Sequence, residues 1–169
     1  MFFRPDEYYA SVVDIMPKQL AARGIKALLL DVDNTLMPRT DTAVPAAAAS
    51  WVESCRNAGL EVLVISNSFQ DRVVRAVEQL DVDFIGKAMK PLPGGFNRAK
   101  RQLRLKGKEM AMVGDQTYTD ILGANLAGVH SILVLPCGTE DLPHTRVLRK
   151  LDKLFLLGMR PKGASSMSD

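Results

Sequence analysis

The chain predicts an α/β fold in which a doubly wound parallel sheet of five strands carries helices on both faces. Two observations lead there. Strand-like apolar runs alternate with helix-spaced segments along the chain, the pattern of parallel strands joined by crossover helices. The runs themselves, such as Ala27-Leu28-Leu29-Leu30 and Val62-Leu63-Val64-Ile65, are unbroken by polar residues, as strands covered on both sides are. At 169 residues the chain is long enough for one domain with a sizeable core and short for two.

Each segment has a local reason. Pro5, Asp6 and Glu7 open a predicted helix running to about Met16, and Gly24 closes a shorter one before the first strand, Ala27 to Leu30. Pro45 to Ala58 reads as a helix with Trp51 and Val52 on its apolar side and Gly59 as its stop. The second strand covers Val62 to Ile65. Val73, Val74, Val77 and Leu80 repeat at helical spacing within Asp71 to Leu80, and Val82 to Ile85 forms a short third strand. Pro93 to Leu105 is helical, with Phe96, Ala99 and Leu103 inward and Arg98, Arg101 and Arg104 outward. Met110 to Val113 is the fourth strand, Ile121 to Ala127 a helix, and Ser131 to Leu135 the fifth strand. The result is a Rossmann-like core over 25–136 within a single domain spanning 1–160. A basic amphipathic helix follows at 145–157, and 161–169 is expected to be a disordered tail.

Composition narrows the class. Hydrophobic content of 47% with 24% charged residues is ordinary for a globular protein. Cys55 and Cys137 stand alone, without ligand spacing, so reduced thiols are expected. His130 and His144 are equally solitary and are assigned structural or solvated roles. The N-terminus carries acids early and lacks a secretory pattern, and no apolar run approaches the roughly 20 residues that span a bilayer. The expected location is cytoplasmic or organelle-internal. Net charge is +3, yet Arg146 to Lys162 holds six basic residues against Asp152, which leaves the rest of the chain at −2. Leu148, Leu151, Leu154 and Phe155 fall at helical spacing there. One reading packs this helix on the sheet with a solvated basic face; the other lays it on an anionic membrane. No aromatic-interleaved basic pattern points to nucleic acid.

The motifs carry the chemistry. Residues 31–36 read DVDNTL directly after the first strand, and ligands of open α/β sheets collect at the carboxyl ends of strands. Asp31 and Asp33, two apart, would share a face on a strand, or converge on one cation from a turn. An Asx-type turn is the alternative explanation. Ser66-Asn67-Ser68 follows the second strand, Lys90-Pro91 lies in a Pro- and Gly-rich loop, and Gly114-Asp115 with Asp120 follows the fourth strand. Together they offer a carboxylate pair, a hydroxyl, an ammonium and further carboxylates.

This ordered set resembles the four motifs of the haloacid dehalogenase (HAD) superfamily, and its wording is most similar to the YqeG-like class IIIA phosphatases, which include the mitochondrial phosphatidylglycerophosphatases. The resemblance covers about residues 5–136, with DVDNTL and GDQTYTD as its specific part. It implies a Mg²⁺-dependent phosphomonoester hydrolase. Asp31 would be the nucleophile forming an aspartyl-phosphate, and Asp33 the acid and then base. Mg²⁺ would be held by Asp31, the backbone carbonyl of Asp33, Asp115 and Asp120, although Asp120 is also placed to cap the following helix. Ser66 and Asn67 would hold phosphoryl oxygens, and Lys90, with Lys87 as its competitor, would offset charge. Asn34 and Thr35 would fix the turn, and Gln116 and Thr117 would line the pocket. The gaps after the first and second motifs leave no room for a cap domain, so the resemblance implies a capless enzyme. An open site suits a bulky phosphomonoester, and phosphatidylglycerophosphate is the substrate the resemblance favours. Soluble, nucleic-acid or protein phosphomonoesters are the alternative, as is a binding protein that retains the motifs. Oligomeric state is not legible.

Overall fold

The computed structural model describes residues 1–163, so the end of the expected tail, 164–169, lies outside the described residues. Six strands, all parallel, form one sheet: β1 (Glu7–Tyr9), β2 (Ala27–Leu30), β3 (Glu61–Ile65), β4 (Asp83–Ile85), β5 (Met110–Gly114) and β6 (His130–Val134), in the order β1-β6-β5-β2-β3-β4. The helices are α1 (Pro17–Ala22), α2 (Ala46–Asn57), α3 (Asp71–Leu80), α4 (Pro93–Leu103), α5 (Leu122–Ala127) and α6 (Pro143–Phe155).

Alternation along the strands divides the core. Leu28, Leu30, Val62, Val64, Ala111 and Val113 meet Trp51, Val52 and Cys55 of α2 and Val73, Ala76 and Val77 of α3 on one face. Leu29, Leu63, Ile65, Met110 and Met112 meet Phe96 and Ala99 of α4 and Ala124 of α5 on the other. The period of two thus buries every residue of β2 and β5, and all of β3 but Glu61 at its start, which explains their apolar composition. The order of strand addition reverses at β2: β3 and β4 are added on one side of it, β5 and β6 on the other. The crevice at such a switch point is where open sheets bind ligands, and Asp31, Ser66 and Asp115 follow β2 and its two neighbours β3 and β5.

Three expectations are corrected. The helix expected over 5–16 is instead β1 and a 3-10 turn at Val12–Asp14, while the shorter helix expected to close at Gly24 is α1. Glu7, Tyr8 and Tyr9 pair with Ile132, Leu133 and Val134, so ladder bonds with β6 outweigh a local Pro-Asp-Glu start signal. This is also why the sheet has six strands and not five. Residues 161–163 are placed: Ala10 N donates to Lys162 O at 2.8 Å and Lys162 N to Tyr8 O at 2.9 Å, extending the edge beyond β1. The remaining segments fall within a few residues of their expected limits, and Gly59 does end α2, at φ +85°.

The third correction concerns α6, whose expected apolar side was Leu148, Leu151, Leu154 and Phe155. Only Leu148 and Phe155 are partly covered; Val147, Leu151 and Leu154 are 63%, 48% and 61% exposed. The face turned to the protein carries Thr145, Arg149 and Asp152, held by polar contacts. Thr117 donates its hydroxyl to Asp152, and Arg149 reaches Asp115 and Asp141. Helix and protein therefore meet largely through charge and hydrogen bonds, with Phe155 stacked on Phe3 at 4.7 Å at the C-terminal end, while Leu151 and Leu154 face outward.

Candidate active site

The acidic residues converge at the carboxyl end of the sheet. Asp31 N donates to Val113 O at 3.0 Å, so the first residue past β2 is still tied to β5 and its side chain is aimed by the ladder. The chain then turns tightly: Thr35 N and Leu36 N return to Val32 O at 3.1 and 2.9 Å, and Asn34 adopts φ 57°. Asn tolerates that left-handed conformation. Its amide holds the loop after β6, donating from Nδ2 to Glu140 O at 2.9 Å and accepting from Arg39 N at 3.1 Å. Thr35 does more than fix the turn, since its hydroxyl lies 3.2 Å from Asp115 Oδ1 and 3.4 Å from Asp31 Oδ2.

Asp31, Asp115 and Asp120 are buried and offer carboxylate oxygens that all lie within 4.8 Å of one another. Asp120 arrives through a π-helical turn, Thr117–Ile121, that opens into α5, and its Oδ2 accepts from Gln116 N at 3.1 Å. Its approach requires glycine at the end of β5: a Cβ on Gly114 would stand 2.2 Å from Asp120 Oδ2. Asp120 thus joins the acidic cluster and does not merely cap a helix.

Lys90 compensates the cluster. Only 5% exposed, it donates from Nζ to Asp31 Oδ1 at 3.0 Å and to Asp120 Oδ1 at 2.6 Å. Burial acts against its charge, but the two carboxylates prevail and hold its pKa above the usual lysine range. Burial drives Asp115 and Asp120 the other way, well above ordinary carboxylates, and the neighbouring acids reinforce it, against relief from Arg149 and Lys90. Three buried carboxylates against one buried ammonium is a donor set that a divalent, oxygen-seeking cation fits. Lys87 lies elsewhere, exposed, with Nζ 5.7 Å from the centre of the Phe69 ring.

Asp33 stands apart from the cluster. Its two oxygens receive Arg72 of α3 and, at 3.4 Å, Arg39. Ser66 is buried, its Oγ accepting from Ser68 N at 3.1 Å. Asn67, expected at a phosphoryl oxygen, also bonds the lysine backbone: Oδ1 accepts from Lys90 N at 2.6 Å and Nδ2 donates to Lys90 O at 3.0 Å. The side-chain amide is therefore the clamp that sets Lys90 in place.

These groups face a cavity of about 330 Å³, lined by Asp31, Asp33, Arg39, Ser66, Asn67, Ser68, Gln70, Lys90, Gln116 and Thr119, and by Leu142, His144 and Thr145 of the C-terminal segment. His144, expected to be structural or solvated, lies on this wall. Nothing in its sequence neighbourhood marked it, because the wall forms only when α6 docks. Thr117 is buried beneath, bonded to Asp152. A wider hollow of about 530 Å³, among Arg4, Arg23, Lys108 and His130, sits at the opposite ends of the strands, and none of the acidic set lines it. Among the described residues, α3 and β4 fill the gap between Ser66 and Lys90, and a loop joins Asp33 to α2; no second domain is inserted at either place.

Comparison with known proteins places the chain in a family. A family model described as haloacid dehalogenase-like hydrolase matches residues 41–128. The chain is 36% identical over 162 residues to a Bacillus subtilis protein named "Probable phosphatase YqeG", a match covering 96% of this chain and 94% of that one. It is 26% identical over 165 residues to the Arabidopsis thaliana chloroplastic/mitochondrial phosphatidylglycerophosphate phosphatase 1, covering 89% of this chain and 47% of the relative, about half its length. Among solved structures, the cobalt-bound deoxy-D-mannose-octulosonate 8-phosphate phosphatase of Haemophilus influenzae shares the fold, with a TM-score of 0.55 at 13% identity over 84% of this chain and 91% of that one. With its acids just past β2 and β5, its buried lysine between them and this likeness over nearly its whole length, the chain belongs to the haloacid dehalogenase-like hydrolase family, as one of its phosphatases.

Proposed function

We propose that the protein is a Mg²⁺-dependent phosphomonoester hydrolase that works through an aspartyl-phosphate on Asp31 and acts on phosphatidylglycerophosphate. The observation that carries the mechanism is the setting of Asp31. It lines the cavity, is held at 3.0 Å by a buried ammonium, and stands beside two further buried acids. Asp31, the backbone carbonyl of Asp33, Asp115 and Asp120 would hold the cation, which when bound supplies positive charge to the phosphoryl oxygens.

This chain's own residues do the rest. An Asp31 oxygen attacks phosphorus as the bond to the leaving oxygen breaks, and Ser66 donates to a phosphoryl oxygen. Asp33 gives its proton to the leaving oxygen, then takes one from the water that cleaves the acyl phosphate, which frees inorganic phosphate and restores Asp31. Arg39 and Arg72 orient Asp33 for that exchange. Lys90, pinned by Asn67, keeps Asp31 in line.

The walls support a bulky substrate. One side of the cavity is made by Leu142, His144 and Thr145, with no cap above, and Phe69, Met89 and Leu92 are exposed nearby in sequence to Ser66 and Lys90. On α6 the outward Val147, Leu151 and Leu154 alternate with Arg146, Lys150 and Lys153, the composition of an interfacial helix. Such a face suits peripheral contact with an anionic membrane through 145–157, and the name of the Arabidopsis relative supplies the lipid. Among the described residues, no helix is long and apolar enough to cross a membrane.

The test measures Mg²⁺-dependent phosphate release from p-nitrophenyl phosphate and from phosphatidylglycerophosphate in mixed micelles, for wild type and Asp31→Asn. Preferential turnover of the lipid, lost in the variant, is expected. Turnover of the generic ester alone would discard the lipid substrate. Co-sedimentation with phosphatidylglycerol vesicles should weaken with salt and on Leu151→Glu/Leu154→Glu; indifference to vesicle charge would remove the membrane contact.

A further inference from the structure

The guanidinium of Arg149 makes four hydrogen bonds across three parts of the fold. Nη2 donates to Asp115 Oδ2 at 2.5 Å and Nη1 to the Asp115 carbonyl at 2.9 Å. Nε donates to Asp141 Oδ2 at 2.5 Å and Nη2 also to Asp141 Oδ1 at 2.9 Å. Asp141 in turn accepts from Asn34 Nδ2 at 3.4 Å, so the chain of contacts returns to the turn after Asp33. Two parallel bonds to a carboxylate fix a guanidinium in plane, which an ammonium cannot reproduce.

The consequence falls on Asp115. Its Oδ1 is 3.2 Å from the Thr35 hydroxyl and its Oδ2 is taken by Arg149, so the carboxylate is held from both sides and cannot rotate freely. Asp141 matters as well. An unpaired guanidinium beside a divalent cation would repel it, but the Arg149–Asp141 pair is neutral in sum and orients Asp115 without adding net charge. Partners of this kind behind a metal-binding carboxylate typically account for 10–100-fold in metal affinity.

We infer that Arg149 is a positioning residue for the cation site, fixing the Asp115 carboxylate from α6 and making the docked helix part of that site. The inference rests on the reading that Asp31, Asp115 and Asp120 hold a divalent cation. It also gives α6 a task separate from any surface it touches.

Titration calorimetry with MgCl₂ on the full chain tests it, using wild type, Arg149→Ala, Arg149→Lys and, as a reference, Asp120→Asn. Circular dichroism and metal-free thermal unfolding accompany each variant. The expected result is Mg²⁺ binding about 10–100-fold weaker for Arg149→Ala, with Arg149→Lys intermediate, since lysine keeps a charge and loses the fork. A role confined to helix docking would lower the unfolding temperature and leave the isotherm unchanged. Wild-type affinity in folded Arg149→Ala, with binding lost in Asp120→Asn, would overturn this inference alone. No binding by wild type, or unchanged binding in Asp120→Asn, would overturn the cation reading with it. If the alanine variant does not fold, the lysine variant decides: wild-type affinity overturns the inference, and a loss of about tenfold supports it.

Discussion

Lys90 shows how one residue can be needed for both folding and function. Its ammonium is enclosed with Asp31 and Asp120, so Lys90→Met removes the only lysine charge among three clustered acids. Breaking a buried pair from one side costs about 3–5 kcal/mol because a charge is left uncompensated. The variant should therefore unfold at markedly lower urea concentration, and saturating Mg²⁺ should recover part of the loss while phosphate release stays abolished. Gly114 makes a complementary case with no charge at all. Because a Cβ there would stand 2.2 Å from Asp120 Oδ2, Gly114→Ala must push that carboxylate out of the cluster. Weaker Mg²⁺ binding by at least about tenfold is expected, comparable to removing a supporting partner. An unchanged isotherm would mean that Asp120 is not a ligand. At this scale the sequence was informative about residue types and less so about tasks. Asn67 stood beside a predicted phosphate-binding serine, yet its amide holds the Lys90 backbone, a contact between residues 23 apart that only the closed fold creates.

At the scale of elements, β1 and α6 depart most from their local signals. In β1, Glu7 is buried with its carboxylate among Tyr9, Arg23 and His130. Burial pushes its pKa up, but those hydrogen bonds outweigh it and bring it down from about 4.5 to about 2. A depressed carboxylate stabilises the fold above its unfolded value, and that contribution is lost as pH falls through the folded one. Stability should thus decline between about pH 4.5 and pH 2, and Glu7→Gln should flatten this part of the curve while lowering stability at neutral pH by about 2 kcal/mol, after solvent screening. Chemical denaturation across that pH range reads both. In α6, helical spacing correctly gave an amphipathic helix, but not which side faces the protein. Leu151→Glu and Leu154→Glu should each change stability by no more than about 0.5 kcal/mol, as exposed substitutions do. A loss of several kcal/mol would mean that the leucines are covered.

For the molecule as a whole, the sheet order places β2 between β3 and β5, and with it brings Asp31, Ser66 and Asp115 to one end. Lys90 follows β4 at the edge, and its long side chain crosses to Asp31, a partner 59 positions away in sequence. The cavity is then closed on one side by the segment after β6, and residues with no motif of their own, His144 and Arg149, enter the site. An enzyme without an inserted cap still needs walls that exclude water and orient a substrate. Here the C-terminal segment supplies one of them.

The sequence by itself determined the α/β class, five of the six strands, and the identity of the acids and lysine that meet at the site. These features are written in local patterns, where apolar runs, helical spacing and short motifs act over a few residues. The tertiary structure decided what depends on distant partners: that Glu7–Tyr9 is an edge strand beside β6, that α6 turns charged residues inward, that Asn67 serves Lys90, and that Arg149 reaches Asp115. The physical reason is common to all four. Ladder bonds and buried charge pairs join segments far apart in the chain, and their energies outweigh the weak local preferences on which a sequence reading rests.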